Sequence, residues 1–423
     1  MGIFVTVLLV SFILTVPIAA SLGLSSFAFM TELGTNIGIL GQRMFVSLDM
    51  STLLAIPFFI LAGNLMNYGG ISKRIIECIN CFVGRKTGGV AIVTIIACMF
   101  FAALSGSGAA TTGAIGAVMI PAMATHGYNK KFAAGTTATA AELGVIIPPS
   151  VSMLLYCVAV NQSIADMFFA GFVPGIMIGC SLILVARIQC GRFGFAGDQR
   201  VFSAREKLNA LGRAVWALFM PVLILGGIYG GIFTPTEAAA VSSFYALFVG
   251  MVVYKELNLK NLITALYETT ILVGVVMIIL STAGLFAYML TIRQIPQAIA
   301  HFLLTIAGNK YTLLLLINIV LVIIGMFFDG APAMIVMAPI LLPAVMSVGV
   351  DPIHFGIIMV CNLALGMITP PFGVNLFVAA QIAKIKYIEM IPWIIPYMLV
   401  ILLDLMLITY IPEISLFVPG LFK

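Results

Sequence analysis

The sequence predicts an all-α polytopic membrane protein: inverted repeats with two re-entrant hairpins and two broken helices. Three observations carry the prediction. The 423 residues are 62% hydrophobic and 8% charged, with a mean hydropathy of +1.20, whereas soluble domains are about 25% charged. Apolar runs of about 20 residues recur along the chain, the length that crosses a hydrocarbon core of roughly 30 Å. The chain also matches itself at an offset of 222 positions. Gly108-Ala109 falls on Gly330-Ala331, Pro121 on Pro343, Gly127 on Gly349, Leu143-Gly144 on Leu365-Gly366, Pro148-Pro149 on Pro370-Pro371 and Pro174 on Pro396, all without a gap. Glycine and proline are common in membrane helices, but chance does not hold six spacings, one of them a double proline, at one offset. Barrel strands would alternate in polarity, and these runs do not. The net charge of +5 therefore reads as a topology signal, not as a nucleic-acid footprint.

The apolar stretches follow in order. The first half gives about 3–15, 17–31, 49–67, 88–104, 108–124, 130–165 and 168–189; the second gives about 214–231, 235–254, 265–290, 311–327, 331–347, 352–384 and 388–412. Residues 70–86 and 293–309 read as amphipathic arms, with Lys73, Arg74, Arg85 and Lys86 in one and Arg293 and His301 in the other. No Lys or Arg occurs in the first 42 residues, so no cleavable signal peptide is expected. Met1-Gly2 with Thr6 fits an acylation pattern, but the start of a membrane helix accounts for it more simply. Seven cysteines are scattered. Cys78 and Cys81 form a lone CxxC without a second pair, so neither a zinc site nor a disulfide framework is expected.

Two junctions lack the polar loop of a membrane surface. Stretches 88–104 and 108–124 meet at "LSGSGAATTG", and 311–327 and 331–347 meet at "FFDGAPAM". Small residues, hydroxyls and one Asp suit hairpin tips buried in the protein, where irregular backbone is tolerated beside protein or a water-filled cavity. With hairpins counted as zero, each half crosses five times, so the second half is inverted. With the N-terminus outside, inward loops hold Lys73, Arg74, Arg85, Lys86, Lys130, Lys131, Arg187, Arg192, Arg200, Arg205, Lys207, Arg213, Lys255, Lys260, Lys384 and Lys386. Of the 20 basic residues, Arg43, Arg293, Lys310 and Lys423 remain outside. This asymmetry predicts both termini outside.

The double prolines interrupt "ELGVIIPPSV" (142–151) and "GMITPPFGVN" (366–375). An interior proline costs roughly 3 kcal/mol or more. Secondary transporters use such broken helices to build a midplane site, with freed carbonyls for a cation and half-helix N-termini for an anion. Ser105, Ser107, Gly108, Gly144 and Ser150 are expected to form one oxygen cage for sodium (Na+); Asp329, Gly330, Gly366, Thr369 and Asn375 form the other, by extension of the rules for hard cations. Each Ser, Thr and Gly is equally suited to helix packing. Asp329 points to function, because an intramembrane Asp costs about 2.5–3.5 kcal/mol on insertion scales. Ser107 and Asp329 are equivalent under the 222-residue shift. An anionic substrate is expected between the tips, beside Ser107, Pro148, Pro149, Pro370 and Pro371.

These segments resemble the large membrane (M) subunit of tripartite ATP-independent periplasmic (TRAP) transporters, essentially from end to end. The resemblance is carried by "SGSGAATTGAIGAVMIPAM" (105–123), "ELGVIIPPS" (142–150), "GGIYGGIFTPTEAAAV" (226–241), "FFDGAPAMIVMAPILLP" (327–343) and "GMITPPFGVN" (366–375). It implies a sodium-driven importer of an organic acid such as a sialic acid or a C4-dicarboxylate, working as an elevator in the inner membrane. It also implies two partners: a small four-helix membrane subunit (Q) and a periplasmic substrate-binding protein (P). The implied division is scaffold at 1–86, transport domain at 87–167, linking and scaffold helices at 168–309, transport domain at 310–387, and a C-terminal helix at 388–423.

Three charged residues stand apart from the cages. In "TPTEAAAV" (234–241), Thr234 or Thr236 can cap a helix, Pro235 suits its first turn, and Glu237 complements its dipole. Glu142 either lines the cavity or pairs with a backbone amide at the break. Arg293 is a candidate for docking the binding protein, with a solvated interfacial arginine as the alternative. Two other classes fit less well. The membrane subunit of an ATP-driven permease would need its ATPase elsewhere, since "GRKTGG" is no Walker A sequence. An intramembrane enzyme would use Asp329 and Glu142 as an acid pair, chemistry that needs no inverted repeat.

Overall fold

In hydrocarbon every backbone amide needs a partner within its own segment, and the chain is helical through nearly all of its length. The computed structural model describes residues 2–34, 36–198 and 200–421. Met1 of the acylation pattern and Lys423 of the charge count lie outside the described residues. The first half contains α1 (Gly2–Ile13), α2 (Ile18–Leu33), α3 (Gly38–Val46), α4 (Ala55–Tyr68, entered by a 3-10 turn at Ser51–Leu54), α5 (Ile71–Val83), α6 (Gly89–Ser105), α7 (Gly108–Thr125), α8 (Lys130–Ala140), α9 (Leu143–Ile146), α10 (Val151–Val160) and α11 (Ile164–Phe193). The second half contains α12 (Ala204–Tyr229), α13 (Pro235–Phe248, continued by a π turn at Val249–Val253), α14 (Leu259–Ile292), α15 (Ile295–Ala307), α16 (Lys310–Phe327), α17 (Gly330–Ser347), α18 (Pro352–Gly366), α19 (Val374–Ala383), α20 (Ile391–Tyr410) and α21 (Glu413–Leu421). Among the described residues, ten helical stretches are long and apolar enough to cross a membrane.

The halves correspond element by element. Arm α5 answers to α15, hairpin α6–α7 to α16–α17, the broken run α8–α10 to α18–α19, and α11 to α20. Both double prolines break their helices and both contain a cis peptide bond. One departure was not expected from sequence. The continuous α14 corresponds to a segment that the first half divides into α3 and α4, with Ser47–Met50 between them. Helix α3 lies outside the predicted apolar stretches because Gln42 and Arg43 dilute its short run.

Local chemistry explains several helix starts. Thr234 Oγ1 accepts from the Glu237 N–H at 3.3 Å, and Glu237 Oε2 accepts from the Thr234 N–H at 2.8 Å. This capping box, with Pro235 in the first turn, gives Glu237 the structural role expected of it and selects Thr234 over Thr236. Asn129 and Asp351 are equivalent positions, and both cap the helices that lead into the breaks.

Packing divides the helices into two groups. Helix α4 lies against α13 and α14, α2 against α1 and α14, and α12 against α5 and α13. The hairpins and broken helices pack with α11, α20 and α21. The boundary expected between 167 and 168 therefore falls inside α11, whose contacts lie with α6, α18, α20 and α21. Each arm holds the hairpin of its own repeat, α5 on α6 and α15 on α17. The second helices of the hairpins exchange partners: α10, from the first break, packs on α17, while α19, from the second, packs on α7.

Candidate functional site

The exchange brings helix N-termini from both repeats together at one cavity of about 280 Å³. Its walls include Ser105, Ser107 and Gly108 at the first tip, Asp329 and Ala331 at the second, and Val151 and Ser152 at the start of α10. Helices α7, α10 and α17 all begin here, so their free N–H groups and positive dipole ends converge. The opposite wall is Asn64, Asn67 and Tyr68 of α4 with Glu268 of α14. Tyr68 Oη donates to Glu268 Oε1 at 2.6 Å, and Asn64 Nδ2 donates to Thr269 Oγ1 at 2.9 Å. The cavity therefore lies between the two packing groups.

At the first tip Ser105, Ser107 and Thr111 form one hydrogen-bonded cluster. Ser105 Oγ lies 2.8 Å from Thr111 Oγ1, and Thr111 Oγ1 donates to the Ser107 carbonyl at 2.8 Å. Ser150 Oγ donates to the Val145 carbonyl at 2.7 Å and caps α10. The Val151 N–H reaches the Gly106 carbonyl at 3.3 Å, tying the break to its hairpin. Gly144 fits because it has no side chain: a methyl group there would stand 2.7 Å from both the Ser107 carbonyl oxygen and Thr111 Oγ1. Pro148 and Pro149 are buried behind this cluster.

The second set is divided. Asp329 stands at the N-cap position of α17, without a side-chain cap bond, and opens into the cavity. It lies deep among protein atoms yet remains accessible through that opening. A methyl group at Gly330 would stand 3.5 Å from Ser152 Oγ, across the exchanged helix pair. Gly366 instead meets the backbone of Gly325 in α16, where a methyl group would fall 2.4 Å from its Cα. Thr369 Oγ1 donates to the Leu365 carbonyl at 2.6 Å. Asn375 lies at the first tip: a methyl group at Gly108 would come within 3.0 Å of its Nδ2, which donates to the Ala138 carbonyl at 3.5 Å. Asn375 Oδ1 is buried without a hydrogen-bond partner. Pro370 is half-buried and Pro371 exposed, so the two breaks differ in their surroundings.

Of the residues set apart, Glu142 takes neither expected role. It does not line the cavity, and neither carboxylate oxygen has a hydrogen-bond partner. Asp329 lines the cavity and Glu142 does not, so the structure does not bring the two acids together there. Arg293 is exposed at the end of α14, with its guanidinium 5.6 Å from the Phe29 ring centre. Sequence reasoning missed Thr111, Asn64, Asn67, Tyr68 and Glu268. The spacing of Asn64, Asn67 and Tyr68 is a signal that was available, since i, i+3 and i+4 form one polar stripe on an otherwise apolar helix.

The comparisons with known proteins agree along nearly the whole length. The family profile described as "Tripartite ATP-independent periplasmic transporter, DctM component" matches residues 5–414. The isethionate TRAP transporter permease protein DctMQ of Oleidesulfovibrio alaskensis is 43% identical over 406 residues, covering 96% of this chain and 64% of that protein. This chain thus spans less than two thirds of that relative's length. The C4-dicarboxylate TRAP transporter large permease protein DctM of Pseudomonas aeruginosa is 42% identical over 401 residues, covering 95% of this chain and 94% of the relative. The sialic acid TRAP transporter large permease protein SiaM of Vibrio cholerae is 37% identical over 407 residues, with 96% and 95% covered. The solved structure of the YdaH transporter of Alcanivorax borkumensis shares the fold, with a TM-score of 0.62, 18% identity, and coverage of 88% of this chain and 86% of that one. A repeated chain of apolar helices, broken at paired prolines around a polar cavity and matched in this way end to end, belongs to the DctM-component family of TRAP transporters, as a multi-pass membrane permease and not an enzyme.

Proposed function

We propose that this chain is the sodium-coupled importer of a small organic acid anion, of the sialic acid or C4-dicarboxylate class, and that it works as an elevator. The observation that carries the reading is the single cavity at which both hairpin tips and the start of α10 face the polar wall of α4 and α14. The relatives named for C4-dicarboxylates and sialic acid supply the substrate class. Termini outside and basic loops inside remain the orientation that the charge asymmetry favours.

The site's electrostatics give a reason for coupling. Converging helix N-termini favour an anion, but Asp329 beside them repels one. A sodium ion held by hard oxygens at the tips offsets that charge and draws the tip and break together. The first tip offers Ser105 Oγ, the Ser107 carbonyl, Thr111 Oγ1, the Val145 carbonyl and Ser150 Oγ. Asn375 Oδ1, buried and unpartnered, is a further acceptor on that side. At the second tip, Asp329 supplies the charged oxygen. Sodium binds first, the anion follows between the tips, and the neutralised unit then crosses; each coupled charge draws about 2.3 kcal/mol per 100 mV of membrane potential.

The gap between the two groups of helices suits sliding. A wholly apolar crevice of about 620 Å³ separates α6 and α11 from α12, with Met99, Phe100, Ile176 and Val222 among its lining residues. Gly63 of α4 passes the first tip so closely that a methyl group there would stand 3.1 Å from Ser105 Cα. A small membrane subunit and a periplasmic binding protein complete the transporter, with Arg293 as a candidate contact for the latter. Asp329→Ala tests the reading in proteoliposomes that contain the whole transporter. Sodium-dependent uptake is expected to vanish while insertion and yield stay normal, and uptake at the unmutated rate would refute the assignment.

A further inference from the structure

A basic pocket of about 410 Å³ lies where the end of arm α5 and the turn after it meet the start of α12. It shares no residue with the cavity between the hairpins. Arg85, Lys86, Arg200 and Lys207 line it, and no carboxylate does. Arg200 is paired with Glu206 at 2.8 Å. Arg85, Lys86 and Lys207 have no ion-pair partner among the described residues. The same wall holds two exposed apolar side chains, Phe82 and Val201. The Lys207 ammonium lies 6.0 Å from the centre of the Phe82 ring. Backbone contacts tie the two sides of the pocket together: the Gly88 N–H donates to the Phe195 carbonyl at 3.2 Å, and the Asp198 N–H donates to the Gly84 carbonyl at 2.8 Å.

An apolar stripe runs down α12 from this pocket. Leu211, Val215, Phe219 and Val222 follow Lys207 at i+4, i+8, i+12 and i+15, a spacing that keeps them on one helix face. They range from 41% exposed at Leu211 to 60% at Val222. From Lys207 to Val222 is about 22 Å at the helical rise of 1.5 Å per residue. That is half of a bilayer of about 40–45 Å, headgroup regions included. The stripe thus spans one leaflet, from headgroup depth to the midplane, where Val222 joins the wall of the apolar crevice.

A soluble phosphate would satisfy the cations but would leave Phe82, Val201 and the stripe uncovered. A neutral lipid would cover the stripe but leave three cations unpaired. One class of molecule meets both demands, and basic pockets beside membrane helices hold such headgroups. We propose that the pocket binds the phosphate headgroup of an anionic phospholipid, with an acyl chain laid along the α12 stripe toward the crevice. The lipid bridges arm α5 and α12 on the face that the charge asymmetry turns inward. The site stands on unpaired charge and on the depth of the stripe, so it does not depend on sodium coupling or on the elevator reading.

Native mass spectrometry of the purified full chain tests this, with phosphatidylglycerol and phosphatidylcholine offered at equal concentration. The wild type should retain phosphatidylglycerol preferentially. Arg85→Gln, Lys86→Gln and Lys207→Gln should each reduce that preference about fivefold, and the three together should abolish it. Lys130→Gln, Arg187→Gln and Lys260→Gln, combined, remove the same charge from exposed positions outside the pocket and should leave the preference intact. If the combined pocket variant fails to fold, Lys86→Gln alone, on an exposed turn, carries the comparison. A wild type without preference would overturn the proposal, as would equal preference in the pocket and control variants. Displacement of phosphatidylglycerol by an equal concentration of glycerol 3-phosphate would also overturn it, because the pocket would then serve a soluble phosphate compound. So would loss of the preference when the chain is extracted together with a co-purifying membrane subunit, since a protein would then cover this face.

Discussion

Gly144 shows how much one missing methyl group decides. It lets the first break press on the carbonyl of Ser107, and a Cβ there would sit 2.7 Å from two oxygens. Gly144→Ala should therefore overpack the tip, at about 1–3 kcal/mol, and push Thr111 or Ser107 out of the cluster. The expected result is a lower melting temperature of the purified protein and loss of stabilisation by sodium. Gly191→Ala is the control, because nothing lies within 4 Å of the position its Cβ would take. Equal melting and equal sodium response in both variants would show that the close approach carries no ion-binding role. Sequence singled out Gly144 through its repeat partner Gly366, and both proved to be contact glycines. It could not say that Gly366 meets α16 while Gly144 meets a tip.

At the scale of elements, self-similarity made the hairpins, arms and breaks legible, since paired prolines and small-residue junctions are local chemistry. It could not reveal the exchange of α10 and α19 between hairpins, because likeness between segments does not say which ones touch. That is why Asn375 was assigned to the second tip and lies at the first. One connection also shows how the cytoplasm-facing loops of the proposed topology are held. Asp198, between α11 and α12, accepts from Asn80 Nδ2 of arm α5 at 3.1 Å and from the Arg200 N–H at 3.0 Å; His126, at the end of α7, lies 3.9 Å away. Burial opposes ionisation of this carboxyl, but the Arg200 N–H, the Asn80 amide, His126 and the Arg200 charge outweigh it and hold it below its ordinary range. A lowered folded-state value means that the contribution is complete above the unfolded carboxylate's value, about 3.9, and is lost as pH falls through the folded one. Amide exchange in 194–198 and 200–203 is therefore expected to rise only in acid for the wild type. Asp198→Asn should show the faster exchange already at neutral pH, and exchange that is unchanged by the substitution would mean that other contacts hold the loop.

For the molecule as a whole, the two groups of helices meet across a polar cavity on one side and an apolar crevice on the other. The cavity wall on α4 and α14 escaped sequence analysis because Asn64, Asn67, Tyr68 and Glu268 become site residues only when the groups are packed together. If the hairpin group slides past that wall, Ala110 of α7 and Leu272 of α14, which line the same cavity, must separate during each cycle. Cysteines at both positions, joined by a short bifunctional reagent, should stop sodium-driven uptake at least tenfold, and a cleavable version of the reagent should restore it on reduction. Cysteines at Ala110 and Ser152 supply the comparison, since both lie on the hairpin group at the cavity and a link there leaves the sliding surface free. A purely local gate makes the opposite prediction. Opening a tip against a fixed α17 or α10 would be blocked by the link within the group and spared by the link to α14. The two linked proteins therefore separate motion of the whole unit from motion of its tip, and undiminished uptake with α7 tied to α14 would rule out the elevator.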